Sequence, residues 1–380
     1  MDYNEELEKL NYEEAKQYVG GVVFVSILMV VGIIGNIHVL FIYTFRMKPS
    51  NHRIFILSLG VLDLITCIIG MSFIIVDLRN PLTFTMVSAC KILRFVNYFI
   101  CISSAFILIV IAIDRYRKIC VPLGRQISQG MAKLLCLGCL CIALVLSWPA
   151  PVLYGQSSVN TTNPNITGIR CYTEDRFTDT KYQAYFNAVL ILVVFVVFGI
   201  LVVLYSLIGR QIRKHAVFRS TGPKESSSDP KSKMTDEESS EERNESGFKD
   251  ENRNGKLSIE PVIASTDSST STNTKQKQNQ KPENNDKVHF NRVKRTTFML
   301  FLITIFFFIS YFPHLILKIV TFVNKDFVVN MSFTGQVLYN TFVWCFFINN
   351  MVNCFIYGFC DLRFRTEVRK TYNKILCRNK

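Results

Sequence analysis

Residues 184–212 read AYFNAVLILVVFVVFGILVVLYSLIGRQI and carry no charged side chain before Arg210. A helix needs about 20 predominantly apolar residues to cross the ~30 Å hydrocarbon layer of a bilayer, and this stretch exceeds that. Six further blocks of the same kind lie at 19–45, 54–78, 91–118, 134–154, 295–323 and 334–359. A soluble fold would have to bury all seven at once. With hydrophobic residues at 49% and charged residues at 19%, the polar surface needed to cover them is lacking. The expected fold is therefore all-α, a seven-transmembrane helix bundle.

A net charge of +14 raises the question of nucleic acid, and the placement of the charge answers it. Arg46, Lys48 and Arg53 lie between the first two blocks, and Arg117, Lys118, Arg125 and Lys133 between the third and fourth. The tail adds Arg363, Arg365, Arg369 and Lys370, whereas an opposite loop holds Glu174, Asp175 and Asp179. One-sided Lys/Arg bias retains basic loops in the cytoplasm. It predicts a multi-pass plasma-membrane protein with the N-terminus outside, the C-terminus inside and no nucleic-acid partner. The acidic start (Asp2, Glu5, Glu6, Glu8) is unlike a cleaved signal peptide, so the first span is expected to act as its own signal.

The chain then divides into an extracellular N-terminus (1–18), transmembrane helices one to five (19–215), a third cytoplasmic loop (216–288), helices six and seven (289–359) and a cytoplasmic tail (360–380). The loop is rich in Ser, Asn, Lys and Glu and cannot bury enough apolar area to offset the entropy of ordering, so a disordered tether is expected. Its serines beside acids are candidate phosphorylation sites. In the tail, Phe364, Val368, Tyr372 and Ile375 recur on one helical face opposite basic residues. That pattern predicts a short amphipathic helix along the cytoplasmic face of the lipid bilayer. Cys377 near its end is either a palmitoylation site or an unmodified thiol.

Of 12 cysteines, only Cys90 and Cys171 map to the outer side, which predicts one disulfide in the oxidising compartment. Asn160, Asn165 and Asn330 begin glycosylation sequons in outer loops. Polar side chains inside lipid are costly and usually functional. Asp63 lies mid-span in the second helix, Asn36 in the first, Ser104 in the third, and Asn349 and Asn353 in the seventh. Asn349, Asn353 and Tyr357 share one helical face. Such oxygens hold either a small hard cation with water or a hydrogen-bond network that packs helices. At the inner end of the third span stands Asp114-Arg115-Tyr116, 24 residues after Cys90.

Together these residues resemble the class A, rhodopsin-like G-protein-coupled receptors, across all seven spans. GIIGN (32–36), LSLGVLD ending at Asp63, Cys90 with Cys171, Asp114-Arg115-Tyr116 and Trp148 match the family's motifs. The resemblance implies a receptor coupled to heterotrimeric G proteins, with arrestin and receptor kinases as further partners. It makes Asp114, Arg115, Tyr116, Tyr205 and Tyr357 the switch, and Asp63, Ser104, Asn349 and Asn353 an allosteric sodium site. No other cofactor is implied. Three positions depart from the pattern: Val197 stands for the fifth-span proline, Tyr311 for the sixth-span tryptophan and Cys354 for the seventh-span proline. Pro313 remains and should bend the sixth helix. Residues 287–325 contain no Asp or Glu, while Arg292, Lys294 and Arg295 crowd the foot of that helix. Arg115 is therefore expected to rely on Asp114, helped by Thr297, and ligand-free activity is expected.

The resemblance also places the ligand pocket at Asn97, Tyr98, Cys101, Tyr311, His314, Leu315, Lys318, Tyr339 and Phe347. Asn97 occupies the place where amine receptors carry an aspartate, and Phe347 that of the retinal lysine, so neither ligand is expected. Aromatics, amides and Lys318 beneath a long polar loop (155–182) suit a peptide, loosely of the neuropeptide-receptor type. A small acidic or lipid ligand contacting Lys318 is the alternative. A seven-helix transporter would show an internal repeat, and the halves show none. No HExxH motif points to an enzyme, and Cys136 and Cys139 lie inside an apolar span, where they read as small hydrophobes.

Overall fold

The structure, a computed structural model, describes residues 3–221, 281–324 and 326–377. The expected tether is therefore reached only at its ends, where the fifth and sixth helices continue to Thr221 and from Lys281. The candidate phosphorylation sites between them, and the side chains of Arg292, Ile375 and Cys377, lie outside the described residues.

The chain enters through α1 (Tyr3–Ala15) and runs into α2 (Val19–Phe45), the first span. The second span is α3 (Asn51–Ile65), a wider π-helical turn at Thr66–Gly70, and α4 (Met71–Arg79). The third is the single helix α5 (Val87–Cys120) and the fourth α6 (Gln129–Ser147), extended by the short α7 (Ala150–Leu153). A hairpin of β1 (Tyr154–Asn160) and β2 (Thr167–Thr173) and a turn of helix α8 (Asp175–Thr178) follow. The fifth span is α9 (Tyr182–Thr221), the sixth α10 (Lys281–Val323). The seventh is α11 (Phe333–Phe342) and α12 (Ile348–Cys360), joined by a tight turn at Cys345–Phe347; α13 (Leu362–Cys377) closes the chain. Seven of these helical runs are long and apolar enough to cross a membrane.

Local chemistry sets several boundaries. Ser50, Ser128 and Ser332 cap α3, α6 and α11, each side chain accepting the backbone N–H three residues on. Asp361 caps α13, accepting from Arg363 N at 2.9 Å and from Phe364 N at 3.3 Å. Pro313 sits inside α10, where the missing N–H loosens the ladder. The seventh span lacks the family's proline, and the chain departs from α geometry at 345–347 nevertheless.

The bundle buries a core from α2, α3, α5, α6, α9, α10 and α12, with Tyr43, Phe55, Ile111 and Tyr357 fully buried. The outward faces stay apolar, as Leu192, Phe195 and Val203 on α9 show, which is the arrangement a lipid solvent favours. Gly21 lets α2 approach the seventh span: a Cβ there would stand 2.7 Å from the Asn340 carbonyl oxygen.

Candidate functional site

Three polar layers run through the bundle. At the first, Cys90 of α5 is bonded to Cys171 of β2 with their Cα atoms 5.6 Å apart. The hairpin is thereby fixed over that end. Its strands are antiparallel, with Gln156 opposite Cys171. Asp175 accepts from Ser158 N at 2.9 Å and Ser158 Oγ at 2.6 Å, which holds its carboxyl below the usual carboxylate range. Tyr154 at the start of β1 meets Tyr98 OH at 2.7 Å and accepts from Gln183 at 3.0 Å. The acidic helix α1 docks here too. Tyr3 donates to Thr167 O, Asn163 donates to Glu6 at 2.7 Å, and Asn11 accepts from Leu82 N at 3.0 Å.

Below the hairpin lies a cavity of about 20 Å³ lined by Asn97, Cys101, Ser104, Phe307, Tyr311, Phe347, Asn349 and Asn350. That volume accommodates one water or small ion. Tyr311 stacks on Phe307 with ring centres 4.7 Å apart, and its hydroxyl meets Cys101 Sγ at 2.5 Å. His314, one turn along α10, is bonded through Nδ1 to Val343 O at 2.6 Å and packs edge-on against Phe346. It ties the sixth helix to the bend of the seventh.

The midplane layer centres on Asp63, which is 1% exposed. Its two oxygens accept from Asn350 Nδ2 at 2.9 Å and Asn353 Nδ2 at 2.8 Å. Asn36 donates to Gly32 O and, at 2.8 Å, to Asn350 O, joining the first span to the seventh. Ser104 Oγ and Asn349 Oδ1 are buried without partners and line the same cavity. Hard oxygens of this kind are the ligands that a small cation with water takes.

The third layer is buried at the far end of α5. Asp114 receives Arg115 at 2.6 Å, Lys118 at 2.9 Å and Asn51 Nδ2 at 2.9 Å. Asn51 also donates to Ile127 O at 2.8 Å. Tyr205 donates to Leu300 O at 3.3 Å and lies 3.2 Å from Thr304 Oγ1, so α9 is held to α10. Tyr357 is fully buried with its hydroxyl unpartnered, its ring edge-on to Tyr43. Arg295 Nε donates to Cys360 O at 3.1 Å, joining the foot of the sixth helix to the end of the seventh. Nearby, Tyr43 donates to Asp361 at 2.7 Å and His52 lies 3.6 Å from it. Burial pushes the Asp361 carboxyl up, yet the bonds from His52, Tyr43 and Phe364 N outweigh it and lower it to about 2.

The profile of the family described as 7 transmembrane receptor (rhodopsin family) matches residues 35–357. The chain belongs to the rhodopsin family of seven-transmembrane receptors. Among curated relatives it is similar to the neuropeptide S receptor of Mus musculus, 25% identical over 49% of this chain and 48% of the relative. It is also similar to cephalotocin receptor 2 of Octopus vulgaris, 33% identical over 34% of this chain and 30% of the relative. A third is nematocin receptor 2 of Caenorhabditis elegans, 29% identical over 34% of each. The chain spans half or less of the length of these relatives. Its fold resembles squid rhodopsin, with a TM-score of 0.63 at 15% identity, covering 96% of this chain and 87% of that one.

Within this rhodopsin-family bundle the residues singled out from sequence fall into place unevenly. Asn97, Cys101, Tyr311 and Phe347 line the inner cavity, whereas Tyr98 faces the hairpin. Leu315 is half-buried and Lys318 exposed; Tyr339 borders a separate apolar groove with Leu317 and Phe342. Tyr116 is half-buried beside the Asp114 network. Asn160 at the end of β1, and Asn165 and Asn330 outside the regular elements, are exposed. Asp63 is met by Asn353, one of the expected cluster, and by Asn350, which was not among them. One expectation is corrected. Thr297 donates to Val293 O on its own helix, so Arg115 receives no help from it. Lys118, four residues past Asp114 on α5, was legible as a helical ion pair. Asn51 and Asn350 carried no such signal.

Proposed function

We propose that this chain is a plasma-membrane receptor for an extracellular peptide and that it activates heterotrimeric G proteins. The observation that carries the reading is the buried Asp114–Arg115 pair at 2.6 Å. A charged guanidinium held inside the bundle by one neighbouring carboxylate is a stored interaction that opening of α10 can release. Tyr205 and the unpartnered Tyr357 hydroxyl, on the helices alongside, are the acceptors for the released arginine. The basic loops at that end and the disulfide at the other favour a cytoplasmic Asp114 end and an extracellular hairpin. Arrestin and receptor kinases are further cytoplasmic partners in this reading, and Asn160, Asn165 and Asn330 carry glycans.

The peptide class is supported by relatives named as receptors for neuropeptide S, nematocin and cephalotocin. It is supported also by size, because the inner cavity takes no more than a water or ion and leaves ligand contact to the groups nearer the hairpin. A sodium ion held by Asp63, Ser104, Asn349 and Asn353 would supply positive charge beside the buried carboxylate. The orphaned Ser104 and Asn349 oxygens support that assignment. A secreted-peptide library screened on cells expressing the chain, read by calcium and cyclic-nucleotide reporters, tests the function. A response absent from untransfected cells and abolished by Arg115→Ala is expected. Responses indifferent to Arg115→Ala would overturn the switch, and no response across the library would overturn the peptide class.

A further inference from the structure

Where the sixth span ends and the seventh begins, the two helices enclose an apolar groove of about 420 Å³. Leu317 of α10 lines one side and Leu338, Tyr339 and Phe342 of α11 the other, with Phe327 and Met331 of the connecting segment completing it. Its position follows from the contact beside it. His314 Nδ1 is bonded to Val343 O at 2.6 Å and pins α10 to the bend of the seventh span. Leu317 stands three residues past His314, and Phe342 one residue before Val343, so the groove begins next to this pin. At its other end the connecting segment folds back on the first turn of α11 at Gly335, where a Cβ would stand 3.1 Å from Met331 Cβ.

The surroundings of the groove select its occupant. None of the residues that line it is charged, and the Ser332 hydroxyl on its wall is already engaged, accepting Gly335 N at 3.3 Å. A water needs about two to four polar partners to be held in a cavity, so this groove is poorly suited to water. Ile316 and Phe322 of α10 and Phe333 and Phe342 of α11 are at least half exposed, on two runs long and apolar enough to cross a membrane. In a bilayer the groove therefore opens sideways into lipid, the solvent that the apolar outer faces of the bundle already favour. A phospholipid phosphate would find no cation on its wall. A flexible acyl chain also loses rotational freedom when it is held, whereas a fused-ring body has none to lose. The volume lies in the range of small-molecule sites, ~300–1,000 Å³.

We propose that this groove binds a membrane sterol, its ring system between Leu317 and Leu338 and its single hydroxyl toward Ser332 at the start of α11. The binding stands on the groove alone; its consequence rests on the receptor reading. A rigid body wedged there ties the α10 segment beyond Pro313 to α11, beside the His314 pin. It thereby restrains the helix whose opening frees Arg115.

The test uses the purified full-length chain in phosphatidylcholine nanodiscs that carry a diazirine-bearing cholesterol, with the photolabelled peptides located by mass spectrometry. Saturable labelling of residues 312–323 and 331–342, competed by unlabelled cholesterol, is expected, together with a rise in the thermal midpoint as cholesterol is added. Leu317→Trp and Leu338→Trp fill the groove from opposite sides. Each should weaken the competition about tenfold, the equivalent of about 1.4 kcal/mol, at a parental sterol-free midpoint. Phe195→Trp, on the lipid-facing side of α9, should leave it unchanged. Uncompeted labelling spread over all the spans, saturable labelling by a diazirine-bearing phosphatidylcholine in place of the sterol, or parental labelling in both groove variants would overturn the site. The assay needs neither peptide nor G protein. Its failure beside a hit in the reporter screen overturns the sterol site alone, and saturable labelling beside an empty screen supports the site and counts against the peptide-receptor reading.

Discussion

Replacing Arg295 with alanine removes a hydrogen bond that joins the foot of the sixth helix to the last carbonyls of the seventh, Arg295 Nε to Cys360 O at 3.1 Å. The acceptor lies where a helix leaves its final C=O groups without partners and carries partial negative charge, so a cation is favoured there. A bond from a charged donor contributes about 1.5–3 kcal/mol when buried. Arg295 is exposed, and screening by solvent brings the expected contribution down to about 1 kcal/mol. The contact exists only while the two helix ends stay together. At 25 °C its loss should therefore raise the open-to-closed ratio about fivefold. Basal G-protein signalling, measured at matched surface expression, should rise by up to that factor in Arg295→Ala and less in Arg295→Lys. Because Arg295 is exposed at the face a G protein would meet, the helix opening is also read without one, from spin labels on α10 and α3 in the purified chain. An Arg295→Ala variant with parental basal signal and a parental distance distribution would refute the reasoning.

Three further outcomes follow from the same geometry. Asn350→Ala should lower the thermal midpoint by the equivalent of about 1–3 kcal/mol, because it leaves one oxygen of buried Asp63 without a donor, whereas Asn349→Ala should change it little; equal losses would contradict the assignment. Cys90→Ser should destabilise the purified chain by about 2 kcal/mol, the lower end of the usual range because bilayer-anchored spans already restrain the 81-residue separation, and reduction of the parent should reproduce the loss. Asp361, lowered to about 2 by its partners, contributes about 2 kcal/mol that is fully present above about pH 4 and lost as pH falls toward 2; in acid titrations of the midpoint, Asp361→Asn should lack that component and start lower at pH 7.

Where the sequence was legible, the signal was a composition or a spacing that chemistry makes expensive to fake. Seven apolar blocks require a bilayer, and the third span, read at 91–118, lies inside the helix at Val87–Cys120, whereas the fifth and sixth helices run on to Thr221 and from Lys281, past the blocks that marked them. The single cysteine pair on one side of the membrane likewise had one partner apiece. The choice between Asn349 and Asn350 was not legible, because it depends on helix phase. Asn350 and Asn349 stand three and four residues before Asn353 on α12, and both spacings put a side chain on the Asn353 face. His314 escaped for another reason: its partner is a backbone carbonyl, which every residue possesses. The N-terminal helix α1 buries no residue of its own and is positioned by loops as far as 164 residues away.

The Asp114 layer also links α13 to the switch proposed above. Asn51 and His52 are consecutive residues in the first turn of α3, a turn fixed by the Ser50 cap on Arg53 N at 3.2 Å. Asn51 donates to Asp114 at 2.9 Å, and His52 lies 3.6 Å from Asp361. Asp361 in turn caps α13 and holds Tyr43, while Phe364 stacks on Tyr43 with ring centres 5.7 Å apart. A capped helical turn moves as a unit, so a displacement of α13 from Asp361 is felt one residue away at the acid that restrains Arg115. Lys118 adds a second cation to that acid at 2.9 Å. Asp114 is thus shared among Arg115, Lys118 and Asn51, and each bond withdrawn by movement at α3 strengthens its remaining hold on the arginine. Residues 287–325 carry no acid, so in the proposed switch that sharing sets how tightly the closed state is held.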